Sequence, residues 1–325
     1  MKRGDAVTET TEGYDIIGDV HGHADKLVEL LGKMEYEEIG GVWTHPVRTA
    51  VFVGDLIDRG PKQVETVAIV RRMVDAGTAQ IILGNHEFNA IAWATEDPDN
   101  PGDHFRSHND KNTKQHHEYL AQVGEGSELH LEHLRWFMTL PLWLDLGDLR
   151  VVHACWDPKS FVAIAGMTGP DNSLTDELVL EASRKGSPAH QAIEHLLKGP
   201  EIPIPEPFKD KDGHDRHEAR FKWWLADAAT SLRRAAVIPE GSETPEKRDY
   251  PPLPETPVDP PPPVAPYADH VPVFYGHYWE RGTPTRSGEH TACVDYSAGK
   301  GGRLVAYRWQ SESVLGDDHF VATAK

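Results

Sequence analysis

The amino-acid sequence predicts an α/β fold whose strands deliver polar side chains to one edge of a sheet. Five short, mainly apolar runs, most of them ending in glycine, are typical of strands buried on both faces; they span 15–18, 50–54, 81–84, 150–152 and 272–276. An Asp, Asn or His follows each run directly. Because open α/β sheets bind ligands beyond the carboxyl ends of their strands, we expect these polar side chains to converge.

Helical patterns accompany these runs. Leu27, Leu30 and Leu31 recur at the spacing of one helix face, and comparable patterns predict helices that cover the sheet at 24–34, 62–76 and 128–138. Helices alternating with buried strands are the pattern of an α/β core.

The long segment between the fourth and fifth runs has a different character. It contains further helical patterns at 173–198 and 215–236, and its proline-rich part, 239–266, predicts an extended polyproline II or disordered connection. Its rings at Phe221, Trp223 and Trp224 could stack a nucleobase, although the interpretation we favour is that the two tryptophans hold a cap onto the body. We therefore expect a cap-like insert at 157–270 and a core formed by 14–156 and 271–312.

The residues that follow the strands form a set suited to two divalent metal ions. Asp and His bind borderline ions such as Mn, Fe, Co, Ni or Zn, whereas an all-oxygen set would suit Mg or Ca. Two neighbouring ions need one anionic bridge, for which we choose Asp55. We expect Asp19 and His21 to complete the first metal site. The second site would consist of Asn85, His153 and His277.

A single Asp or His after a strand is more often a turn or capping residue than a metal ligand. The complete set, however, favours a metal centre. His23, which follows Gly22 at the expected metal edge, is left open as a residue that either supports a metal ligand or contacts the substrate. Eleven further histidines lie in polar or helical surroundings that predict a solvated surface; they are His104, His108, His116, His117, His130, His133, His190, His195, His214, His217 and His319.

Three sequence blocks resemble the signature blocks of a known family. Gly-Asp-Val-His-Gly at 18–22, Gly-Asp-Leu-Ile-Asp-Arg-Gly at 54–60 and Gly-Asn-His-Glu at 84–87 look like those of the phosphoprotein-phosphatase branch of the calcineurin-like metallophosphoesterases, which also contains symmetrical dinucleoside tetraphosphatases. His153 and His277 resemble the two later metal histidines of that branch. Residues 293–307 are similar to its closing strand pair. The resemblance covers about 14–155 and 271–309.

The resemblance implies a four-layer α/β/β/α sandwich and a water molecule activated by two metal ions. It also implies that His86 protonates the leaving oxygen, that Asp58 orients His86, and that Arg59 binds the phosphoryl oxygens. Physical chemistry supports these roles, because a planar guanidinium binds phosphate bidentately and a His beside a carboxylate can donate a proton near neutral pH.

Two features depart from the family pattern. Cys155 lies close behind His153, where the family usually has glycine; it could be a weak ligand or a redox-sensitive thiol, but a buried, space-filling thiol is favoured. The family also uses a second phosphate-binding arginine between the last two histidines, and no local motif selects one. The candidates are Arg184, Arg216, Arg220, Arg233 and Arg234.

We therefore expect a phosphoesterase that hydrolyses phosphomonoesters, either on a protein Ser or Thr or on a small molecule. The alternative is hydrolysis of dinucleoside polyphosphates or other nucleotide anhydrides. A third hypothesis, from another class of protein, is a non-catalytic phosphate-binding module. Mn is the metal that we expect first.

Composition limits the partners and the compartment. A formal net charge of −19 disfavours long nucleic acids, which bind through Lys and Arg. The two cysteines do not suggest a disulfide framework, and no apolar run is long enough to span a membrane. These features predict a cytoplasmic protein without a membrane partner.

Overall fold

A computed structural model describes residues 12–210, 213–225 and 230–324. Within these ranges the strands are β1 (Gly13–Ile17), β2 (Glu37–Ile39), β3 (Val42–Thr44), β4 (Arg48–Phe52), β5 (Ala79–Ile81), β6 (Trp143–Asp145), β7 (Arg150–Val152), β8 (Glu201–Lys209), β9 (Asp215–Phe221), β10 (Ala236–Val237), β11 (Val273–Tyr275), β12 (Thr291–Cys293), β13 (Val305–Trp309) and β14 (Phe320–Ala322). The α-helices are α1 (Ala24–Lys33), α2 (Gln63–Asp75), α3 (Asn85–Ala94), α4 (Asp110–Val123), α5 (Glu128–Phe137), α6 (Pro158–Ile164), α7 (Asp176–Ser183), α8 (Pro188–Lys198) and α9 (Leu232–Ala235). Short 3₁₀ helices lie at Pro170–Asn172, Ala298–Lys300 and Asp317–His319.

Two sheets form the centre of the molecule. The first has the strand order β14-β13-β1-β4-β5, in which β1, β4 and β5 are parallel and β13 is antiparallel to β1. The second has the order β12-β11-β7-β6, in which β7, β11 and β12 are parallel. β12 and β13 therefore lie in different sheets. They are not hydrogen-bonded to each other, unlike the two strands of a closing pair. β14 extends the first sheet beyond residue 312, where we expected the core to end.

Apolar side chains from both sheets meet in one buried layer. Ile16 and Val51 from the first sheet belong to the same cluster as Val151 and Phe274 from the second. Because side chains alternate between the faces of a strand, the neighbouring residues, such as Phe52, join the apolar layer formed with the helices. The predicted four-layer α/β/β/α sandwich is confirmed.

Most of the predicted helices are present. α1, α2 and α5 occupy 24–34, 62–76 and 128–138 to within a residue or two at each end. The pattern at 173–198 corresponds to two helices, α7 and α8, separated by a turn that contains Gly186 at φ 88°. No helix of the described residues is long and apolar enough to cross a membrane.

The prediction of a helix at 215–236 is wrong in the described part of that segment. Residues 226–229 lie outside the described residues, and before them β9 pairs antiparallel with β8, while α9 is a single turn. Ala219 and Phe221 of β9 are buried whereas Glu218 is exposed, as expected of alternate residues in a strand. Short apolar runs do not distinguish the two periods until a partner strand is known.

The insert is joined to the core through aromatic side chains. Trp223 is 0% exposed, and its indole Nε1 donates to the carbonyl of Ala154 at 2.8 Å. Its ring centroid lies 5.0 Å from that of Tyr275 on β11. The proline-rich stretch has no strand or helix, but Leu253 and Val264 within it are buried in the main apolar cluster. These contacts agree with the interpretation that Trp223 holds the insert onto the body, and they leave no exposed ring face to stack a base.

Three histidines that we expected at the surface are buried instead. His116 on α4 and His130 and His133 on α5 are each at most 4% exposed. The α4–α5 pair buries them because Tyr119 of α4 contacts both α5 rings, and its hydroxyl lies 3.2 Å from Nδ1 of His133. Helical periodicity predicts α5 but does not show which of its faces is covered, and α4 is not among the predicted helices.

The burial of His133 predicts a pH-dependent stability. Burial, with help from Arg71, lowers the pKa of His133 from 6.5 to about 4, while Glu132 opposes and His130 reinforces the shift. The folded protein therefore keeps this ring neutral, and the stability it contributes is complete above about pH 6.5 and is lost as the pH falls toward 4. We expect the free energy of unfolding to fall more between about pH 7 and about pH 5 in the wild type than in His133→Gln, measured by urea denaturation. An equal decrease in the free energy of unfolding of the wild type and of His133→Gln would contradict this prediction.

Candidate metal centre

The structure brings all six predicted ligand residues to one place. Asp19 and His21 follow β1, Asp55 follows β4, and Asn85 begins α3 just after β5. On the second sheet, His153 follows β7 and His277 follows β11, and all six side chains are buried. The carboxyl ends of strands from both sheets therefore form a single site.

Asp55 occupies the centre of this site. Two groups of side chains, His21 with Asp55 and His86, and Asp55 with His153 and His277, each have ligand atoms within 4.8 Å of one another. Asp55 belongs to both groups, which is the arrangement expected of a bridging carboxylate. His86 is also in the first group, with Nδ1 engaged by Asp58 and Nε2 3.8 Å from Oδ2 of Asp55.

Two of the predicted ligands are oriented by the backbone. Nδ1 of His21 donates to the carbonyl of Ile57 at 2.9 Å, and Nδ1 of His153 donates to the carbonyl of Val53 at 2.7 Å. Their Nε2 atoms then face Asp55, at 3.7 Å and 3.4 Å from its carboxylate oxygens. This is the usual arrangement of a metal-binding imidazole, because the bond at Nδ1 sets the tautomer that leaves Nε2 available.

The donor set fits divalent cations. Oδ1 of Asp19 and Nε2 of His277 are buried without a hydrogen-bond partner, whereas Oδ1 of Asn85 lies 3.1 Å from Nε2 of His153. Burial raises the pKa of Asp19 well above its ordinary value, and nearby carboxylates raise it further. Buried acceptors that lack a donor are costly, and a bound cation would satisfy them.

Close backbone approach explains two of the glycines in the signature blocks. A Cβ atom on Gly84 would lie 2.2 Å from the amide nitrogen of Asp55, and one on Gly54 would lie 2.4 Å from the amide nitrogen of Gly84. Gly54 also has φ +93°, in the region that favours glycine. The ends of β4 and β5 can therefore meet closely enough for Asp55 and Asn85 to share a site.

Glu87 has a supporting role that sequence analysis missed. Its carboxylate accepts the backbone N–H groups of Asp55 at 2.9 Å, Leu56 at 2.8 Å, Ile57 at 3.3 Å and Gly84 at 3.1 Å. Burial and the charge of Asp55 raise the pKa of Glu87 to about 7. The residue belongs to the block Gly-Asn-His-Glu, so the motif contained the signal, but a clamp on the Asp55 loop requires the three-dimensional structure.

Asp295 is a second buried acid that we did not predict as part of the site. It follows β12 as the predicted ligands follow their strands, so the same sequence pattern could have identified it. Its carboxylate accepts the amides of Trp279 and Ser297, each at 2.9 Å. Burial raises its pKa, although these two amides oppose the shift, and its charge in turn raises the pKa of Asp19. Asp295 thus adds negative charge beside the candidate ligands.

A chain of three buried side chains adjoins the metal centre. Nδ1 of His86 donates to Oδ2 of Asp58, and Nδ1 of His116 donates to Oδ1 of Asp58 at 2.7 Å. Burial alone would raise the pKa of Asp58, but the two imidazoles hold it below its ordinary value. Asp58 is therefore a carboxylate with a histidine on each oxygen. The expectation that His116 lies on a solvated surface is wrong, because it is 2% exposed.

Two arginines lie near these groups. Nη2 of Arg59 is 3.4 Å from Nε2 of His86, and Nη1 of Arg220, on β9, is 3.4 Å from the carbonyl oxygen of His277. Among the arginines left open by the sequence, Arg184, Arg216 and Arg233 are instead in ion pairs with glutamates, and Arg234 is exposed. Arg220 is thus the candidate that the fold delivers to the site.

Cys155 packs inside the apolar core behind His153. It is completely buried, and burial raises the pKa of its thiol well above the ordinary value. A thiol that stays protonated is a poor ligand and a poor nucleophile. Its environment agrees with the space-filling interpretation.

Comparisons with known proteins identify the class. Residues 14–219 match the family model of the calcineurin-like phosphoesterases, and the chain belongs to this family. It is therefore a hydrolase. A protein serine/threonine phosphatase from Saccharomyces cerevisiae has a similar structure, with a TM-score of 0.50, 17% identity and coverage of 97% of this chain and 80% of that one, which supports the fold alone.

Three relatives carry names of one type. Proteins named bis(5'-nucleosyl)-tetraphosphatase PrpE (asymmetrical) are 50% identical over 74 residues in Halalkalibacterium halodurans and 33% identical over 144 residues in Bacillus velezensis. These matches cover 22% and 43% of this chain, and they span only 30% and 55% of the relatives' own lengths. A symmetrical bis(5'-nucleosyl)-tetraphosphatase from Klebsiella pneumoniae is 25% identical over 314 residues, with coverage of 91% of both chains.

The central position of Asp55 predicts a loss of metal on substitution. Asp55→Asn keeps the shape but removes the negative charge, so we expect metal content and aryl phosphate turnover to fall together, turnover by at least about 100-fold. Metal analysis by plasma mass spectrometry and steady-state kinetics would check this. Asp157→Asn is the matched control, because Asp157 is also a buried aspartate but caps α6 and is not one of the candidate ligands. Near-normal turnover of Asp55→Asn with two bound metals would refute the bridging role.

Proposed function

We propose that the protein hydrolyses phosphate bonds of nucleotide polyphosphates, with dinucleoside tetraphosphates as the leading substrate class. The observation that carries this proposal is the pair of ligand groups that share Asp55, with His86 at their edge. This arrangement supports phosphate-bond hydrolysis in general. The names of the relatives favour nucleotides within that class.

The proposal includes two divalent metal ions. Asp19, His21 and Asp55 would hold the first, and Asn85, His153 and His277, again with Asp55, would hold the second. When bound, two such ions lower the pKa of a water molecule and neutralise charge on phosphoryl oxygens. Mn is our first choice, and the same ligands also suit Fe, Zn, Co or Ni.

Arg59 and Arg220 are proposed to bind the phosphoryl group. Arg59 belongs to the second signature block, and its guanidinium lies beside His86. Arg220 is held in place by aromatic rings, with its guanidinium carbon 4.2 Å from the ring centre of Trp279 and 5.9 Å from that of Tyr278. A planar guanidinium group fixed in this way can donate two hydrogen bonds to two oxygens of one phosphate.

His86 is proposed to protonate the leaving oxygen. Because Asp58 accepts the proton of Nδ1, Nε2 is the nitrogen that faces Arg59, and the imidazolium form of the ring would donate its proton from Nε2. His116 is a positioning residue in this proposal. It occupies the second oxygen of Asp58, which fixes the rotation of the carboxylate and hence the direction of the His86 ring.

Phosphomonoesters, which the sequence alone ranked first, become the second candidate class. The insert is proposed to select among leaving groups, because it contributes Arg220 to a site otherwise built from the core. The division into a core and a cap at 157–270 and the cytoplasmic location also stay predictions.

A comparison of three substrates tests the proposed function. We expect the highest kcat/KM for a dinucleoside tetraphosphate, compared with a phosphoserine peptide and an aryl phosphate, all assayed with Mn. Chromatography of the products would show whether cleavage is symmetrical or asymmetrical. A higher kcat/KM for the phosphopeptide would replace the proposal by the second candidate.

The proton-donor chain predicts a dependence on the leaving group. His86→Asn should lower kcat by about 10²–10⁴ on an alkyl phosphate, whose leaving group needs a proton, and much less on an aryl phosphate. Asp58→Asn and His116→Asn should show the same pattern more mildly. His117→Asn is the control, because His117 is the next residue of α4 but its side chain is 68% exposed. If His116→Asn lowers kcat equally on the alkyl and the aryl phosphate, His116 has a structural role and does not position His86.

A further inference from the structure

A cavity with a cationic lining lies beside the metal centre. It has a volume of about 290 Å³ and is formed by the loop at 296–303 together with 281–282. Arg281, Lys300 and Arg303 line it, and none of the described residues that line it is acidic. The protein as a whole has a formal net charge of −19, so a cavity lined by three cations has a charge opposite in sign to that of the whole protein.

The loop at 296–303 connects the cavity to the catalytic groups. A Cβ atom on Gly299 would lie 2.7 Å from Cδ of Arg59 and from Cδ2 of His21, so the loop rests directly on both side chains. Nζ of Lys300 lies 5.0 Å from the ring centre of Trp279, the ring that also holds Arg220. The loop that lines the cavity thus packs against Arg59, and Lys300 and Arg220 contact the same aromatic ring.

The backbone of this loop has few donors left for a ligand. The amides of Lys300 and Gly302 both donate to the carbonyl of Ser297, at 2.8 Å and 2.9 Å, and that of Gly301 donates to Ala298 at 3.3 Å. A ligand in the cavity must therefore be held mainly by side chains.

The side-chain donors suit an anion. Nε of Arg303 is buried without a hydrogen-bond acceptor. Burying an unpaired donor costs free energy, and a bound ligand with an acceptor oxygen would remove this cost. Arg281 has an ion pair with Glu240 at 3.6 Å, but both side chains are mostly exposed, so this pair is weak and a phosphate can compete for the guanidinium. Phosphate oxygens would give the cavity the negative charge that its lining lacks.

We propose that this cavity binds phosphate groups of the substrate that adjoin the phosphoryl group being cleaved. The inference rests on the proposed function and specifies it, because it explains how a chain of phosphates is preferred over a single one. A monophosphate would contact only the metal centre, Arg59 and Arg220. A polyphosphate would in addition reach Lys300 and Arg303.

Single substitutions in the cavity test this inference. Lys300→Gln and Arg303→Gln should each lower kcat/KM for a dinucleoside tetraphosphate about tenfold, mainly through KM, and leave aryl phosphate turnover unchanged. Arg135→Gln, on the exposed side of α5, is the control for loss of one positive charge. Arg303→Lys should restore part of the loss if charge is what matters. An unchanged kcat/KM for the tetraphosphate in both glutamine variants, or an equal fall for both substrates in correctly folded variants, overturns the inference.

A second measurement separates the inference from the proposed function. If the wild type hydrolyses aryl phosphate but no dinucleoside tetraphosphate, the proposed function is wrong, and inorganic triphosphate then serves as the probe. With divalent metal in excess, its inhibition constant against aryl phosphate turnover should be about tenfold weaker in Lys300→Gln and Arg303→Gln than in the wild type, while that of orthophosphate stays the same. Equal inhibition constants for triphosphate would overturn the inference by themselves.

Discussion

The buried negative charge of Asp55 sets requirements for everything around it. The residue lies where the carboxyl ends of the two sheets meet, with His21 facing it from the first sheet and His153 from the second. An isolated charge in such a place would cost several kcal/mol, so the fold has to surround it with compensating groups. Imidazoles, a backbone amide and, in the proposed function, two cations provide this compensation. Glu87 accepts three backbone N–H bonds from the loop that carries Asp55 and a fourth from Gly84, which fixes this loop beside the end of β5.

The distribution of charge separates the site from the rest of the surface. The protein as a whole is acidic, which disfavours long polyanions. Beside the carboxylates of the metal centre, however, cations are gathered, because Arg59, Arg220 and Lys300 lie within a few side chains of one another. A small, highly charged anion can therefore be attracted locally without making the whole protein a nucleic-acid binder.

The insert contributes to the architecture and to the site through the same short segment. Trp223 anchors the segment by its hydrogen bond to Ala154, which directly follows the metal-binding candidate His153. Arg220, three residues earlier on β9, reaches the carbonyl of His277. A change that loosened the insert would thus disturb the position of Arg220, the arginine that we propose binds phosphate. In this proposal, the contacts that hold the insert in place also position a residue that contacts the substrate.

The sequence by itself determined the fold class and the positions of the candidate ligands, because each ligand directly follows a buried strand and local order alone brings it to the sheet edge. It could not show that His116 turns inward to Asp58, since helical periodicity does not reveal which face a neighbouring helix covers. Nor could it select Arg220 among the arginines of the insert, because that choice depends on the pairing of β9 with β8 and on contacts with distant rings. Local sequence patterns indicate which strand or helix carries a residue, whereas long-range contacts determine which groups its side chain faces. Only the tertiary structure could therefore show the Glu87 clamp and the cationic cavity.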